Sequence, residues 1–235
     1  MEAHQYEKEK HIILSPAVRD IIIGLSDGLT VPFAIAAGLA SAAAGDATII
    51  IAAVLAEIAA GSISMGLGGY LAASTEAEHY KNELKRETLE IEEKPEGERR
   101  EVADILLQQF GLTREESKPL VDSIASRKDD WINFMMHFEL GLEEPDKSRA
   151  LESAATIAAA YIAGGIIPLA PYLILQNDVG LAFIYSVGVT LVALLIFGYI
   201  RGRLIMEHPW RGMAQTVVVG VLAGLAAFSL AKLVP

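Results

Sequence analysis

Five long apolar stretches, with the charges gathered between them, restrict this chain more than any other feature of its sequence. They run from Val18 to Ala44, Ala47 to Ala73, Ser153 to Leu175, Val179 to Ile200 and Met213 to Val234. Each is long enough to cross a hydrocarbon core about 30 Å thick at about 1.5 Å per residue. The bilayer core offers no water, so only helices and closed barrels satisfy their backbone groups there. None of the stretches alternates like a barrel strand. The expected fold is therefore all-α: a polytopic membrane protein with five transmembrane helices and a helical insert after the second. The domains follow as residues 1–73 (lead and helices one and two), 74–149 (an acidic three-helix insert) and 150–235 (helices three to five).

Composition narrows the function. Of 235 residues, 52% are hydrophobic, more than a soluble domain of this size needs. The net charge of −11 argues against nucleic acid, which wants an excess of Lys and Arg. There is no cysteine, which excludes disulfides, thiolate metal sites and cysteine nucleophiles. Ala40-Ser41-Ala42 resembles a signal cleavage site. However, the lead carries Glu2, Glu7 and Glu9 beside Lys8 and Lys10, and the apolar run is too long for a signal core. It reads as a retained span.

The links set the expected orientation. Gly45-Asp46 and Gln176-Asn177-Asp178 carry no basic residue. The lead holds Lys8, Lys10 and Arg19, the fourth link holds Arg201, Arg203 and Arg211, and residues 74–149 hold twelve of the nineteen basic residues. Basic loops stay in the cytoplasm. The N-terminus and the insert are then inside and the C-terminus outside.

The insert also holds twenty of the thirty acidic residues. Its first helix continues the second span through Glu76 to about Glu93 and stops near Pro95-Glu96-Gly97. A second runs from about Glu98 to Phe110, ending at Gly111. Thr113-Arg114-Glu115-Glu116 reads as a capping box opening a short helix. A last helix covers about Asp129 to Leu140, with Gly141 as its stop. Glu83, Glu87 and Glu90 share a helical face, as do Glu98 and Glu101, and Met135 stands four residues before Glu139. Such faces are either solvated surfaces or, since like charges repel, sites for several divalent cations. Glu76 and His79 form one Glu-x-x-His pair, but no second is present to complete a di-iron site.

Asp27 and Glu57 lie deep within the first and second stretches. An uncompensated charge there costs roughly 2.5 to 3.5 kcal/mol, so it faces a partner, a cavity or an ion. With the first span running outward and the second inward, Asp27 and Glu57 match in depth. Asp20, one helical repeat earlier, and Met65, two turns after Glu57, match about 10 Å nearer the cytoplasm. Carboxylates with a thioether suit a transition metal better than magnesium or calcium. The alternatives are a structural hydrogen bond for the acids, an interfacial pair with Arg19 for Asp20, and core filling for Met65. Gly24 and Gly28 bracket Asp27, and Gly61, Ser62, Ser64, Gly66, Gly68 and Gly69 follow Glu57, as close helix packing requires. Pro32 should free the Gly28 carbonyl and kink its helix.

Arg19-Asp20-Ile21-Ile22-Ile23-Gly24-Leu25-Ser26-Asp27-Gly28-Leu29-Thr30-Val31-Pro32-Phe33 resembles the first-span signature of the vacuolar iron transporter family. Glu57-Ile58-Ala59-Ala60-Gly61-Ser62-Ile63-Ser64-Met65-Gly66-Leu67-Gly68-Gly69-Tyr70-Leu71 resembles its second-span signature. The resemblance covers nearly the whole chain. It implies a homodimer in a lipid bilayer that exchanges ferrous iron, and manganese, for protons. Zinc and other divalent metals are further candidate ions. It assigns the membrane site to Asp20, Asp27, Glu57 and Met65. It assigns the cytoplasmic site to Glu87, Glu90, Glu98 and Glu101, with Met135 and Glu139. Glu83, Glu92 and Glu93 compete among the glutamates, and Met136 competes with Met135. The membrane is the plasma membrane in a prokaryote and the vacuolar membrane in a eukaryote. The rivals are a metal sensor that transports nothing and a ferroxidase built on the Glu-x-x-His pair.

Overall fold

The structure is a computed structural model that describes residues 15–42, 46–146, 148–206 and 208–233. The charged lead, Gly45 of the first turn and the stretch end at Val234 lie outside the described residues. The elements are α1 (Pro16–Ala42), α2 (Ala47–Glu93), α3 (Pro95–Phe110), α4 (Arg114–Ala125), α5 (Lys128–Phe138), α6 (Arg149–Ile174), α7 (Val179–Ile205) and α8 (Pro209–Ala231). Among the described residues there is no strand. Five helices, α1, α2, α6, α7 and α8, are long and apolar enough to cross a membrane. The fold is thus all-α and multi-pass.

Two compact units form. One comprises residues Met1–Tyr70 and Leu151–Pro235, the other Leu71–Ala150. In the first, Ile50, Val54 and Ile58 of α2 pack with Ala36 of α1, Leu169 and Tyr172 of α6 and Ala182 of α7. A second cluster joins Leu29 of α1 to Leu194 and Phe197 of α7. The large apolar side chains pointing away are bare: Ile63 is 71% exposed and Ile174 78%. Such surface is untenable in water but is covered by acyl chains in a bilayer. Polar caps close the short links. Asp46 accepts the Thr48 amide hydrogen at 2.8 Å, and Asp178 accepts that of Leu181 at 2.9 Å, each satisfying an otherwise orphaned donor.

The helices of this unit cross through small residues. A Cβ on Gly28 would lie 2.3 Å from the Tyr161 carbonyl oxygen, and one on Gly24 2.4 Å from that of Ile157. Gly164 of α6 meets the Gly28 backbone in the same way, at 2.9 Å. Alpha-one and α6 therefore approach backbone to backbone. This is how membrane helices gain contact when lipid removes the hydrophobic drive between them. Helix α1 continues unbroken through Pro32, and α6 through Pro168 and Pro171. Ser186 of α7 donates to the Pro168 carbonyl at 2.7 Å, an interhelical bond in the buried core.

In the second unit Ile91, at the end of α2, packs with Val102 and Leu106 of α3, Val121 of α4, and Trp131, Met135 and Met136 of α5. Helix α3 ends on Gly111 in the left-handed conformation, φ 68°, which costs a glycine nothing. The capping box at Thr113 and Glu116 is present in both directions. Two boundaries differ from the sequence expectation. Pro95 begins α3 instead of merely separating it from α2, because proline is well tolerated at a helix's first position. Helix α5 stops at Phe138, where the Leu142 amide reaches back to the Met136 carbonyl and Gly141 takes φ 64°.

These contacts predict opposite outcomes for two glycines. Gly28→Ala must push α6 backbone away and should cost about 1–3 kcal/mol or more. Gly68→Ala meets no atom within 4 Å and should be neutral or slightly stabilising through helix propensity. Thermal unfolding in detergent measures both, and equal midpoints would contradict the packing described.

Candidate metal sites

Glu57 sits one turn before Gly61 on α2. A Cβ on Gly61 would lie 2.4 Å from the Tyr161 hydroxyl, so the glycine makes room for that ring. The Tyr161 hydroxyl in turn donates to Glu57 Oε1 at 2.5 Å. Asp27 of α1 and Glu57 of α2 are both half-buried. Glu57 Oε2 is buried and has no hydrogen-bond partner. A buried acceptor left unpaired costs about 1–3 kcal/mol, so this oxygen is set to take a proton or a cation. Asp20 is 1% exposed, and Met65 is half-buried on α2.

Tyr161 was not among the residues singled out from the sequence. The only hint was a tyrosine inside an apolar span, whose hydroxyl must find a partner when buried. Its partner stands 104 residues away, beyond any local pattern.

In the second unit Glu87 of α2, Glu98 of α3 and Glu139 after α5 bring carboxylate oxygens within 4.8 Å of one another. Glu87 is 2% exposed and Glu98 5%, while Glu139 lies at the open edge. Burial, followed by the charges of Glu98 and Glu139, pushes the Glu87 carboxyl up to about 8. Burial and Glu101 raise Glu98, and burial with Glu101 and Glu98 raises Glu139. Glu87 Oε1 and Glu98 Oε2 are buried without a hydrogen-bond partner. Three carboxylates forced together this way repel until protons or a cation enter between them.

The remaining sequence candidates are arranged differently. Glu83 pairs with Arg86 at 2.8 Å and faces His79 at 3.8 Å, and Glu90 lies 3.8 Å from Arg86. Glu90 still adds its charge to all three carboxylates of the triad. Glu101 is exposed beside it. Met135 and Met136 are both fully buried in the apolar cluster of this unit. Glu92 binds Lys128. His79 is 58% exposed.

Residues 18–232 match the model of the VIT family. The chain is 50% identical to a protein of Oryza sativa subsp. japonica named vacuolar iron transporter 1, over 99% of this chain and 91% of that protein. It is 52% identical to vacuolar iron transporter 1 of Arabidopsis thaliana over 97% and 90%. It is 40% identical to protein CCC1 of Saccharomyces cerevisiae over 90% of this chain and 67% of that protein.

The triad predicts a proton-linked affinity. Glu87 ordinarily titrates at 4.5 and in the fold at about 8, so its protonated form is favoured by folding. That contribution is full below pH 4.5 and is lost as pH rises through about 8. Metal-free protein should therefore lose thermal stability across that window, and added Mn²⁺ should restore it. Mn²⁺ affinity should rise about tenfold per pH unit, with about one proton released per ion. Glu87→Gln should flatten the profile and weaken binding at least about tenfold. Calorimetry in buffers of differing ionisation enthalpy checks this, and a pH-independent affinity in the unaltered protein would remove the basis for a shared proton.

Proposed function

This chain belongs to the VIT family, and on that premise we propose that it is an antiporter moving ferrous iron, and manganese, out of the cytoplasm in exchange for protons. The names of its plant relatives, vacuolar iron transporters, support iron as the cargo and a vacuolar or equivalent membrane as the place. They are names of transporters, not of enzymes. The observation that carries the coupling is the Glu57 carboxylate. One oxygen is held by Tyr161 and the other is buried and unpaired.

The cycle follows from desolvation. Two carboxylates sharing a dry site cannot both stay charged without a cation. Either Fe²⁺ lies between Asp27 and Glu57 or protons neutralise them, so occupancy by metal and by protons is mutually exclusive. The second unit, cytoplasmic by the distribution of basic residues, collects the ion. Glu87, Glu98 and Glu139 form its centre, with Glu83, Glu90, Glu101 and the thioether of Met135 as further ligands. Met65 and Asp20 take the ion at the mouth of the pathway. Protons entering from the far side displace it outward. A homodimer completes the reading: a second copy would cover the half-buried side of Asp27, Glu57 and Met65 and shield the pathway from lipid. Zn²⁺ competes for the same carboxylates.

Reconstitution in liposomes tests the scheme. Ferrous iron uptake should alkalinise the lumen in step with transport, read by a trapped pH-sensitive dye, because each ion that enters is exchanged for protons that leave. Glu57→Gln should abolish proton movement and reduce uptake to the protein-free level. Glu87→Gln should instead lower uptake only at limiting iron and leave the proton-to-metal ratio intact. Full coupling in the Glu57→Gln protein would sink the assignment of that carboxylate.

A further inference from the structure

The basic residues of the second unit are not scattered over its acidic surface. Arg99 and Arg100 of α3 and Arg114 and Lys118 of α4 converge on one groove of about 460 Å³. That volume falls within the roughly 300–1,000 Å³ of small-molecule sites. Two carboxylates, Asp104 and Asp122, share the groove. Asp122 is taken up by an ion pair with Arg99. Among the described residues, Arg100, Arg114 and Lys118 make no ion pair. Three unpaired cations against the single carboxylate of Asp104 leave the groove with an excess of positive charge. This occurs in a segment where acids outnumber bases by twenty to twelve.

The groove is independent of the carboxylate triad. At about 100° per residue, Arg100 and Leu107 stand on the side of α3 opposite Glu98, the buried carboxylate of the triad on that helix. One helix thus presents a carboxylate face and a guanidinium face. The floor of the groove is apolar, formed by Leu107 and Val121 between the two helices, and Val121 is 7% exposed. The rim is cationic. Guanidinium groups match phosphate oxygens in a bidentate fork and stay charged at any physiological pH. Two arginines and a lysine around one small cavity suit adjacent phosphates better than a single anionic charge.

We propose that this groove binds a small phosphate chain, of the kind carried by nucleoside triphosphates and by inorganic polyphosphates. The phosphates lie along Arg100, Arg114 and Lys118, and Asp104 limits affinity by repulsion. A nucleoside, where present, rests on the Leu107 and Val121 floor.

The experiment is calorimetric titration of the full-length protein in detergent, at low salt and with a chelator to remove divalent metal. Tripolyphosphate and ATP should bind saturably, AMP at least about tenfold more weakly. Equal affinities for ATP and tripolyphosphate would show that phosphates alone are read, and a tighter ATP would place the nucleoside on the floor. The double substitution Arg100→Gln with Lys118→Gln should weaken tripolyphosphate about tenfold or more. Asp104→Asn should strengthen it severalfold. Opposite signs from neighbouring positions cannot arise from unfolding, which the thermal midpoint of each variant checks in parallel. Absence of saturable binding by both ligands would overturn the proposal. So would unchanged affinity in both variants, or citrate binding as tightly as tripolyphosphate.

Discussion

A carboxylate inside a bilayer has no water to solvate it, and most of the first unit's architecture follows from how Glu57 meets that requirement. Its partner is a phenol on another helix, Tyr161 of α6. For the hydroxyl to reach the carboxylate, α6 must come close to both α1 and α2. The closeness is visible at Gly28, where the Tyr161 backbone fills the space of a side chain, and at Gly61, where its ring does. The glycines are therefore a condition of the polar contact. Larger residues would separate the helices and strand the acid. One oxygen of Glu57 remains unpaired even so. A buried acceptor left unpaired at that depth is expensive.

The second unit handles charge differently. Its apolar cluster around Trp131, Met135 and Met136 draws three helices and the end of α2 together, and that packing forces Glu87, Glu98 and Glu139 into proximity. Hydrophobic burial supplies the stabilisation that electrostatic repulsion opposes, and the result is a carboxylate cluster whose protonation responds to the cations around it. The same packing turns the basic residues of α3 and α4 toward each other on the far side. Segregation of opposite charges onto two faces of α3 lets an acidic unit gather three carboxylates on one side and its basic residues on another, with little direct neutralisation between them.

Much of the fold was legible in the sequence. Run length and the absence of water in lipid define five spans. The helix stop at Gly111 and the box at Thr113 were readable because capping is a matter of three or four neighbouring residues. Asp27 and Glu57 stood out because a charge in an apolar run is expensive wherever the run folds. The glutamates of the insert were harder. Seven candidate ligand positions fit helical spacing equally well, yet Glu83 and Glu90 lie beside Arg86, a neighbour on their own helix, and Glu87 is buried. Helical periodicity groups residues by face but leaves open which way the face turns. Nothing local separates Tyr161 from the other tyrosines of the spans, so its pairing with Glu57 is not legible in the sequence.

What the sequence by itself determined is the set of local free-energy costs: which segments avoid water, where helices begin and end, and which acids cannot remain uncompensated. Those costs depend on a residue and its near neighbours in the chain. The tertiary structure decided the partners: Tyr161 for Glu57 across 104 residues, the three glutamates that converge, and the arginines that share a groove. Partners depend on how helices rotate and how closely they cross. That is settled by the packing of distant surfaces against one another, which no window along the chain contains.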